Sequence, residues 1–531
     1  MNLAKVNLGE KVDKFFKQWD RLDTPGCAFA IIKDSKIVYK KNYGMADLEH
    51  DVPITPQTVW FIGSISKQFT AMCILLLTEQ NKISLDDDVR KYLPEFPDYG
   101  QTVTIHHLIH HTSGIRDYCG LVKAKWMSPP EMTNLSMHEV LQIIYTQKEL
   151  NFPPGEMQRY SNSGYVMLAA IVEKVAGKSL GEFAEEHIFN PLGMKNTCYI
   201  DDNKYIIKNR ALGYISDGKK GYHNATVNHR HCGPGGVYST VEDLFLWDQN
   251  YYKNKLGKKR QDLIKTMQSP FILNNGETTN YAFGLNVLKY KGQKLIFHGG
   301  GLPGYHAIYF SFPKYDFSVI ILANNPYITP GPFMLKIVDI YFEQILIPEQ
   351  HKISVDPVIF QNIKGKYYSE IHGLASISCK NHDMIIQIPL PGFDISLIAE
   401  SETSFSLWFP NSSWITFQKD DYSEFTFYLW GNGSKMKRLD SSKLLQEESE
   451  EYVGGYYSEE IDRTYYLTKK NTKLIIQQNS FNILNCEMVF AEEDLFLTDF
   501  EVYKFKRNNN GNIVGFNLNR PLVRNLWFQR I

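Results

Sequence analysis

The apolar residues of the first 345 positions follow both strand and helix periodicities. Cys27–Lys33 and Lys36–Tyr43 are β-rich runs separated by the turn signal Asp34-Ser35, which predicts a hairpin. From Ser64 to about Asn81 the apolar residues recur at helical spacing, which predicts a helix. Phe317–Ala323 is a short apolar run bounded by polar residues, as expected of a buried strand. A helix over 334–346 would close this mixed region.

The pattern changes after residue 346. Ile347–Pro357 is polar and contains two prolines, which is typical of a linker. Beyond it, apolar and polar residues alternate in short segments between turn signals, which predicts an all-β region. The clearest segments are Asp383–Ile388, Trp414–Lys419, Phe425–Trp430 and Lys473–Gln478.

An internal repeat divides this β-rich region into two units. The segment Lys364–Glu370 (KGKYYSE) recurs 89 residues later as Val453–Glu459 (VGGYYSE). A unit of that length is enough for a small antiparallel barrel of about eight strands, and the acidic run 446–451 would join the two units. We therefore expect a front domain over 1–346 and β-barrel-like modules over 358–445 and 452–531. One large β-sandwich over the whole rear half is the alternative.

Composition argues against several classes of protein. Lys plus Arg number 57 and Asp plus Glu 58, so the formal net charge of -1 argues against a dedicated nucleic-acid binder. The seven cysteines are scattered without a CxxC pair, which argues against a disulfide framework. The N-terminal segment shows no signal-peptide pattern, and apolar runs such as Ala71–Leu77 are far shorter than the roughly 20 residues that cross a bilayer. We expect a soluble, cytoplasmic protein without a membrane span.

The first of three motifs suited to nucleophilic catalysis is Ser64-Ile65-Ser66-Lys67. Ser64 and Lys67 stand three apart at the start of the predicted helix, so they share one face. The helix N-terminus there favours an alkoxide or oxyanion, and a lysine near cationic or apolar groups can lose its proton and act as a base. Taken alone, the pair favours the ordinary interpretation, in which Ser64 caps the helix and Lys67 is solvated.

The other two motifs lie later in the chain. Tyr160 and Asn162 are two apart in a loop that precedes a predicted helix, so a phenol that shuttles protons and an amide that holds a carbonyl can face one cleft. His298 and the glycines 299–301 follow the predicted strand 294–297. Glycines at that place let a substrate backbone approach closely and leave N–H groups free to bind an oxyanion.

Together, in this order and at these separations, the three motifs resemble those of the serine β-lactamase and penicillin-binding-protein family. Leu108–Ile115 (LIHHTSGI), Gly235–Leu244 (GGVYSTVEDL) and Tyr281–Leu285 (YAFGL) are similar to further segments of that family. The resemblance spans about residues 10–345 and is closest to the class C β-lactamase and D-aminopeptidase branch, the S12 peptidases. It implies an α+β fold, with an antiparallel sheet flanked by helices plus an all-helical part. Two all-β antiparallel barrel-like modules would follow, as in D-aminopeptidases.

The resemblance also implies a serine hydrolase that works through an acyl-enzyme without a cofactor. Ser64 would be the acylated nucleophile, Lys67 its proton acceptor, and Tyr160 the group that shuttles protons to the leaving group. Asn162 would position the scissile amide, while His298 would replace the lysine of class C β-lactamases and help to orient Tyr160. The strand residues that would bind substrate are Gly299, Gly300 and Gly301. The backbone N–H groups of Ser64 and Gly301 would form the oxyanion hole.

One position departs from the family pattern. Gly299 stands where carboxypeptidases of this fold usually offer a threonine hydroxyl to the C-terminal carboxylate of the substrate. This weakens a D-Ala-D-Ala carboxypeptidase or β-lactamase function and leaves small peptides, D-aminoacyl amides and esters as substrates. A loop of the last module could select a free amine through an acidic residue. The candidates are Glu492, Glu493 and Asp494.

Other interpretations remain open from the sequence. Two groups of residues could bind zinc, although we expect no metal. They are His106, His107, His110 and His111, and, separately, His229, His231 and Cys232. The fold could also serve as a catalytically weak binding or scaffolding protein. The expected partner is a small-molecule or peptide substrate rather than a nucleic acid, and a homodimer is compatible with the sequence.

Overall fold

The computed structural model leaves short gaps along the chain. It describes residues 3–531 apart from 126–133, 203, 220, 226–229, 258–259, 329, 343–356, 371–372, 381–382, 389–393, 408–412, 430–431, 440–446, 472, 479–485 and 500. The expected linker Ile347–Pro357 lies outside the described residues except for its last position, and the acidic joint continues into a short 3-10 helix, Glu447–Tyr452. The domain boundaries near 346 and 445 therefore stay predictions.

A six-stranded antiparallel sheet forms the centre of the front part. Its strands are β1 (Cys27–Lys33), β2 (Lys36–Tyr43), β3 (Asn286–Tyr290), β4 (Gln293–Leu302), β5 (Tyr305–Phe312) and β6 (Phe317–Ala323). Their spatial order is β3-β4-β5-β6-β1-β2. The predicted hairpin is confirmed, because β1 and β2 pair around Asp34 and Ser35, whose positive φ angles of 51° and 60° suit a tight turn.

Both faces of the sheet are buried, which explains the uninterrupted apolar run of β6. Ile321 packs into the cluster that includes the helices Leu3–Phe16 and Pro330–Phe342. Its neighbour Ile320 points to the opposite face and joins the larger cluster of the helical part. The helix expected at 334–346 thus begins earlier, at Pro330, and residues 343–346 lie outside the described range.

The helical part lies on the second face of the sheet and carries most of the remaining helices. Within the described ranges, the α-helices between Leu3–Phe16 and Pro330–Phe342 are Lys67–Glu79, Ile105–Ile109, Tyr118–Ala124, Met137–Tyr145, Asn162–Ala176, Leu180–Ala184, Asn190–Leu192, Val241–Lys253 and Arg260–Met267. A further α-helix, Pro357–Ile363, precedes the first barrel. Short strands lie between these helices and pair in small sheets. Met45–Asp47 pairs with Val52–Pro53, Val237–Ser239 pairs with both Trp60–Phe61 and Cys198–Tyr199, and Tyr214–Ser216 pairs with Tyr222–Asn224. No helix in the described ranges has the length and apolar character needed to span a bilayer.

The rear half forms two separate nine-stranded antiparallel sheets, so the single-sandwich alternative is wrong. The first contains Gly365–Ser369, Gly373–Lys380, Asp383–Gln387, Asp394–Ser396, Ile398–Ala399, Ser404–Ser406, Ser413–Gln418, Asp421–Leu429 and Asn432–Arg438. The second contains Gly454–Ser458, Arg463–Lys470, Lys473–Gln478, Cys486–Glu487, Val489–Glu492, Leu495–Leu497, Val502–Arg507, Ile513–Arg520 and Val523–Arg530. In each sheet a single residue separates the two edge strands, Leu397 in the first and Met488 in the second, so each is a nearly closed barrel.

The repeated YYSE segment is the first strand of each barrel. Tyr367 and Tyr456 are both fully buried, and each hydroxyl donates to a backbone carbonyl four residues earlier, at 2.9 Å from Ile363 and 2.8 Å from Tyr452. A buried phenol needs such a partner. The repeat therefore marks the same structural position in two equivalent barrels.

The second barrel packs tightly against the front part. Leu121 and Ala124, from the helix Tyr118–Ala124, belong to the apolar core of that barrel. Beside them the Arg116 guanidinium forms an ion pair with Glu460, and the two side chains are 0% and 5% exposed. This junction joins residues more than 300 positions apart and lies next to the sequence motifs described above.

Candidate active site

Ser64 lies on a tight turn held by glycines. The turn is a 3-10 segment, Gly63–Ser66, and the regular helix begins only at Lys67, slightly later than predicted. Gly63 has a φ of +55°, and a Cβ added there would lie 2.5 Å from the amide nitrogen of Gly301. No other residue type fits this position without displacing β4. The hydroxyl of Ser66 donates to the Gly63 carbonyl at 2.6 Å and braces the turn from inside.

Lys67 is completely buried beneath Ser64. Its Nζ lies 3.1 Å from Ser64 Oγ, and it donates to Asn162 Oδ1 at 2.8 Å and to the Pro234 carbonyl at 2.9 Å. Burial lowers the pKa of Lys67 to about 7, although the nearby Asp117 acts in the opposite direction. Three acceptors therefore hold an amine whose charge is poorly solvated, which is the condition for a lysine that accepts protons near neutral pH.

Tyr160 covers the same amine from the other side. The ring centroid lies 4.7 Å from Lys67 Nζ, and the ring packs on His111 with centroids 4.4 Å apart. Burial raises the pKa of Tyr160 well above its usual value, and a hydrogen bond with Ser64 offsets only part of that effect. The resting side chain is thus a neutral phenol, because burial outweighs the cation expected to lower its pKa.

His298 is the buried residue of β4 in this site, and it contacts a different tyrosine from the expected one. Its Nδ1 lies 2.6 Å from the Gly299 carbonyl, and its Nε2 lies 2.9 Å from the Tyr281 hydroxyl. A carbonyl only accepts, so Nδ1 carries the proton and Nε2 accepts from Tyr281. Burial and the charge of Lys67 lower the pKa of His298 to about 3. Its ring centroid is 6.3 Å from that of Tyr160, so any effect on Tyr160 acts through packing.

The glycines after His298 bring the strand against the Ser64 turn. A Cβ on Gly300 would lie 1.9 Å from the carbonyl oxygen of Ile62 and 3.1 Å from the amide nitrogen of Ser64. At Gly299 and Gly301 a Cβ would meet its nearest atoms only at 3.8 Å. The amide nitrogens of Ser64 and Gly301 thus lie at the same contact between turn and strand, the arrangement that an oxyanion hole requires.

Asp117 is a site residue that the sequence motifs did not reveal. Its buried carboxylate accepts hydrogen bonds from the backbone N–H groups of Asn162, Cys119 and Gly120. Burial raises the pKa of Asp117, while these hydrogen bonds and Lys67 lower it. The only sequence signal was an Asp directly before a helix, which by itself indicates an ordinary N-cap.

The histidines considered for zinc have other contacts. His111 Nδ1 accepts from the Ser161 amide at 3.1 Å, His110 lies against two backbone carbonyls, and His231 lies against the Tyr118 hydroxyl and the Leu135 carbonyl. His229 is outside the described residues. Within the described ranges, the group of three side chains spaced for a metal is Asp47, Glu49 and His50, which includes none of these histidines.

Two of the three acidic candidates of the last module have other partners. Glu492 is 3.7 Å from Lys437 of the first barrel, and Asp494 pairs with Arg507 inside the second. A loop of the second barrel does contact the front part, but it is a different one. The hairpin between the last two strands places the Leu522 carbonyl 3.2 Å from the Asp117 amide nitrogen, and a Cβ on Gly120 would lie 2.6 Å from Val523.

Comparison with known proteins identifies the family of the front part. Residues 12–337 match the family model described as Beta-lactamase. Penicillin-binding protein 4* of Bacillus subtilis (strain 168) is 31% identical over 398 residues, which are 70% of this chain and 85% of that protein. A D-aminopeptidase of Gluconobacter oxydans (strain 621H) is 27% identical over 305 residues, 57% of each chain.

Among solved structures, the octameric penicillin-binding protein homologue from Pyrococcus abyssi has a TM-score of 0.57 at 24% identity. The match covers 82% of this chain and 100% of that one. At this identity the likeness concerns the fold. The family model, by contrast, matches more than half of the chain and includes all three motifs of the cleft. The chain therefore belongs to the β-lactamase family, as the order of its motifs predicted.

Proposed function

We propose that this protein is a serine hydrolase that forms an acyl-enzyme at Ser64 and cleaves small peptides, D-aminoacyl amides or esters. The observation that carries the proposal is the buried Lys67 amine 3.1 Å from the Ser64 hydroxyl. With a pKa of about 7, a substantial share of the Lys67 side chains is neutral at neutral pH. A neutral amine at hydrogen-bonding distance can accept the serine proton.

Acylation follows from these positions. Ser64 Oγ attacks the carbonyl carbon of the substrate while its proton passes to Lys67 Nζ. The N–H groups of Ser64 and Gly301 stabilise the oxyanion of the tetrahedral intermediate, and removal of one such donor typically costs roughly 3 kcal/mol in the barrier. The neutral phenol of Tyr160, hydrogen-bonded to Ser64, then delivers a proton to the leaving amine or alcohol as the C–N or C–O bond breaks. Tyr160 is reprotonated by Lys67, which passes on the proton that it took from Ser64, so both side chains are neutral again in the acyl-enzyme.

Deacylation uses the same groups in reverse. A water molecule attacks the acyl carbon, its proton passes to the Lys67–Tyr160 pair, and Ser64 leaves with a proton restored to its oxygen. His298 is neutral and accepts a hydrogen bond from Tyr281. It therefore packs in the wall of the cleft as a neutral, polar side chain and supplies no positive charge.

Two further observations support amides and esters as substrates. Asn162 uses its Oδ1 to accept from Lys67. One N–H of its Nδ2 donates to Cys119 Sγ at 3.7 Å, which leaves the second N–H to donate to a substrate carbonyl. Gly299 offers no hydroxyl for a C-terminal carboxylate. The relatives named D-aminopeptidase support the aminoacyl class, while the relative named penicillin-binding protein makes a penicillin a reasonable probe.

The direct test is mass spectrometry of the intact protein after exposure to a fluorophosphonate and, separately, to a penicillin. We expect one adduct from at least one probe, mapped to the peptide that contains Ser64 and absent from Ser64→Ala. The absence of any adduct in folded wild type would refute the nucleophile assignment. Turnover of 4-nitrophenyl esters and of D- and L-aminoacyl anilides then defines the substrate class. Equal inertness of wild type and Ser64→Ala across that panel would favour a binding protein.

A further inference from the structure

Two arginines lie at the junction between the second barrel and the front part, near enough for the charge of Arg524 to act on Arg159. Arg159 comes directly before Tyr160, and its amide donates to the His111 carbonyl at 2.8 Å. Arg524 lies next to the tip of the barrel hairpin, where its amide donates to Asn151 Oδ1 at 2.7 Å and its carbonyl accepts from Arg116 Nε at 2.9 Å. The backbones of both arginines are therefore held by residues of the front part, independently of their guanidinium groups.

Neither guanidinium has a hydrogen-bond acceptor or a carboxylate partner among the residues that the structure describes. Both side chains are half-buried, and Arg524 Nε is fully enclosed without a partner. Burial lowers the pKa of both groups, and the charge of Arg524 adds to the effect on Arg159, whose pKa falls to about 9. Both groups still carry a positive charge at neutral pH, so two cations share a poorly solvated place without an anion between them.

A third arginine of the same junction, Arg116, has hydrogen-bond partners for its guanidinium group. Arg116 donates to Glu460, to Gln147 and to two backbone carbonyls. The nearby carboxylate Glu460 is thus already occupied, and it also accepts from the Lys148 amide at 2.8 Å. A cation that has lost much of its hydration and has no counter-charge is unfavourable. Because both side chains are only half-buried, an anion from outside the chain can reach Arg159 and Arg524 and supply that counter-charge.

We propose that Arg159 and Arg524 form an anion-binding site that takes a carboxylate or phosphate group. The planar guanidinium fork matches either group with paired, charge-assisted hydrogen bonds. The anion can be a substituent of the substrate or a free small molecule. The first source rests on the proposed hydrolase function, because Arg159 adjoins Tyr160, whereas binding as such does not depend on it. This site would bind an acidic ligand, whereas the acidic loop expected from the sequence would have selected a ligand with a free amine.

The binding test follows thermal unfolding of the full chain in inorganic phosphate or succinate at constant ionic strength. We expect a saturable rise in Tm for wild type and for Arg21→Gln, whose exposed arginine pairs with Asp23. Arg159→Gln and Arg524→Gln should bind each anion about tenfold more weakly, since each loses a charge-assisted hydrogen bond. Without added anion, both variants should be at least as stable as wild type.

Two results would overturn the site. One is an equal rise in Tm, or none, in wild type and both variants. The other is a loss of stability in both variants without anion, which would show that the arginines have structural partners.

A kinetic arm separates the two sources of the anion. It compares kcat/KM for 4-nitrophenyl butyrate with that for the mono-4-nitrophenyl ester of succinate. If the anion belongs to the substrate, the preference for the succinate ester should fall about tenfold in Arg524→Gln. An unchanged preference together with tight phosphate binding assigns the site to a free anion. If wild type hydrolyses neither ester, the hydrolase proposal is weakened, and the binding test still decides the anion site.

Discussion

Replacement of Lys67 by methionine should abolish acylation and, at the same time, raise the stability of the protein in a pH-dependent way. The side chain is fully buried, and burial shifts its pKa from 10.5 to about 7. In the unfolded chain the amine is protonated up to about pH 10. Folding at neutral or acidic pH therefore buries a charge or releases a proton, and both oppose folding.

The sign and size of the effect follow from linkage. Because the folded-state pKa is depressed, the penalty is fully present below about pH 7 and shrinks as pH rises toward the unfolded value. Between pH 6 and pH 9.5 this one group should make wild type more stable by about 3 kcal/mol. Methionine at position 67 removes that contribution. The stability advantage of Lys67→Met over wild type should therefore narrow by about 3 kcal/mol over the same range.

The assay is urea unfolding at several pH values, followed by a probe of the front part, with Lys36→Met as the matched control. Lys36 is an exposed lysine at the start of β2, so its replacement removes a charge without emptying a buried site. The reasoning would be refuted by a difference between Lys67→Met and wild type that stays constant with pH. A constant difference would mean that Lys67 titrates alike in the folded and unfolded states.

Three further outcomes are expected. The kcat/KM for ester hydrolysis should rise with pH and reach a plateau, with a midpoint near pH 7, because Lys67 loses its proton over that range. A flat pH profile between about pH 6 and pH 9 would contradict the role of Lys67 as a base. Gly300→Ala should lower the free energy of unfolding by about 1–3 kcal/mol or more, because the added Cβ would lie 1.9 Å from a backbone oxygen. The control Gly299→Ala, whose Cβ has open space, should unfold like wild type. Equal urea midpoints for the two variants would disprove the steric argument. Arg116→Met should lower the free energy of unfolding by roughly 3–5 kcal/mol, because it leaves Glu460 buried without its counter-charge. Calorimetry should then show a separate, earlier transition for the second barrel, whereas an unchanged single transition would show that the ion pair does not hold the barrel in place.

Much of the architecture was predictable because it depends on local pattern. The strands β1, β2 and β6 have the predicted ends, since runs rich in β-forming residues and bounded by turn or polar residues have few other stable conformations. The 89-residue repeat predicted two equivalent barrels, although each has nine strands rather than about eight. The short, irregular strands that close each barrel have no periodicity of their own, so their number could not be counted in advance.

The sequence by itself determined which residue types stand at the motif positions, and hence the family and the candidate nucleophile. Only the tertiary structure decided how those residues behave. The pKa of Lys67 depends on enclosure by Asn162 and Pro234, and His298 turned out to bind Tyr281 because β4 aims it there. The role of Asp117 and the meeting of Arg159 with Arg524 also depend on contacts between distant parts of the chain. Burial and electrostatic environment are properties of the folded surroundings, and a local sequence pattern carries no information about partners hundreds of residues away.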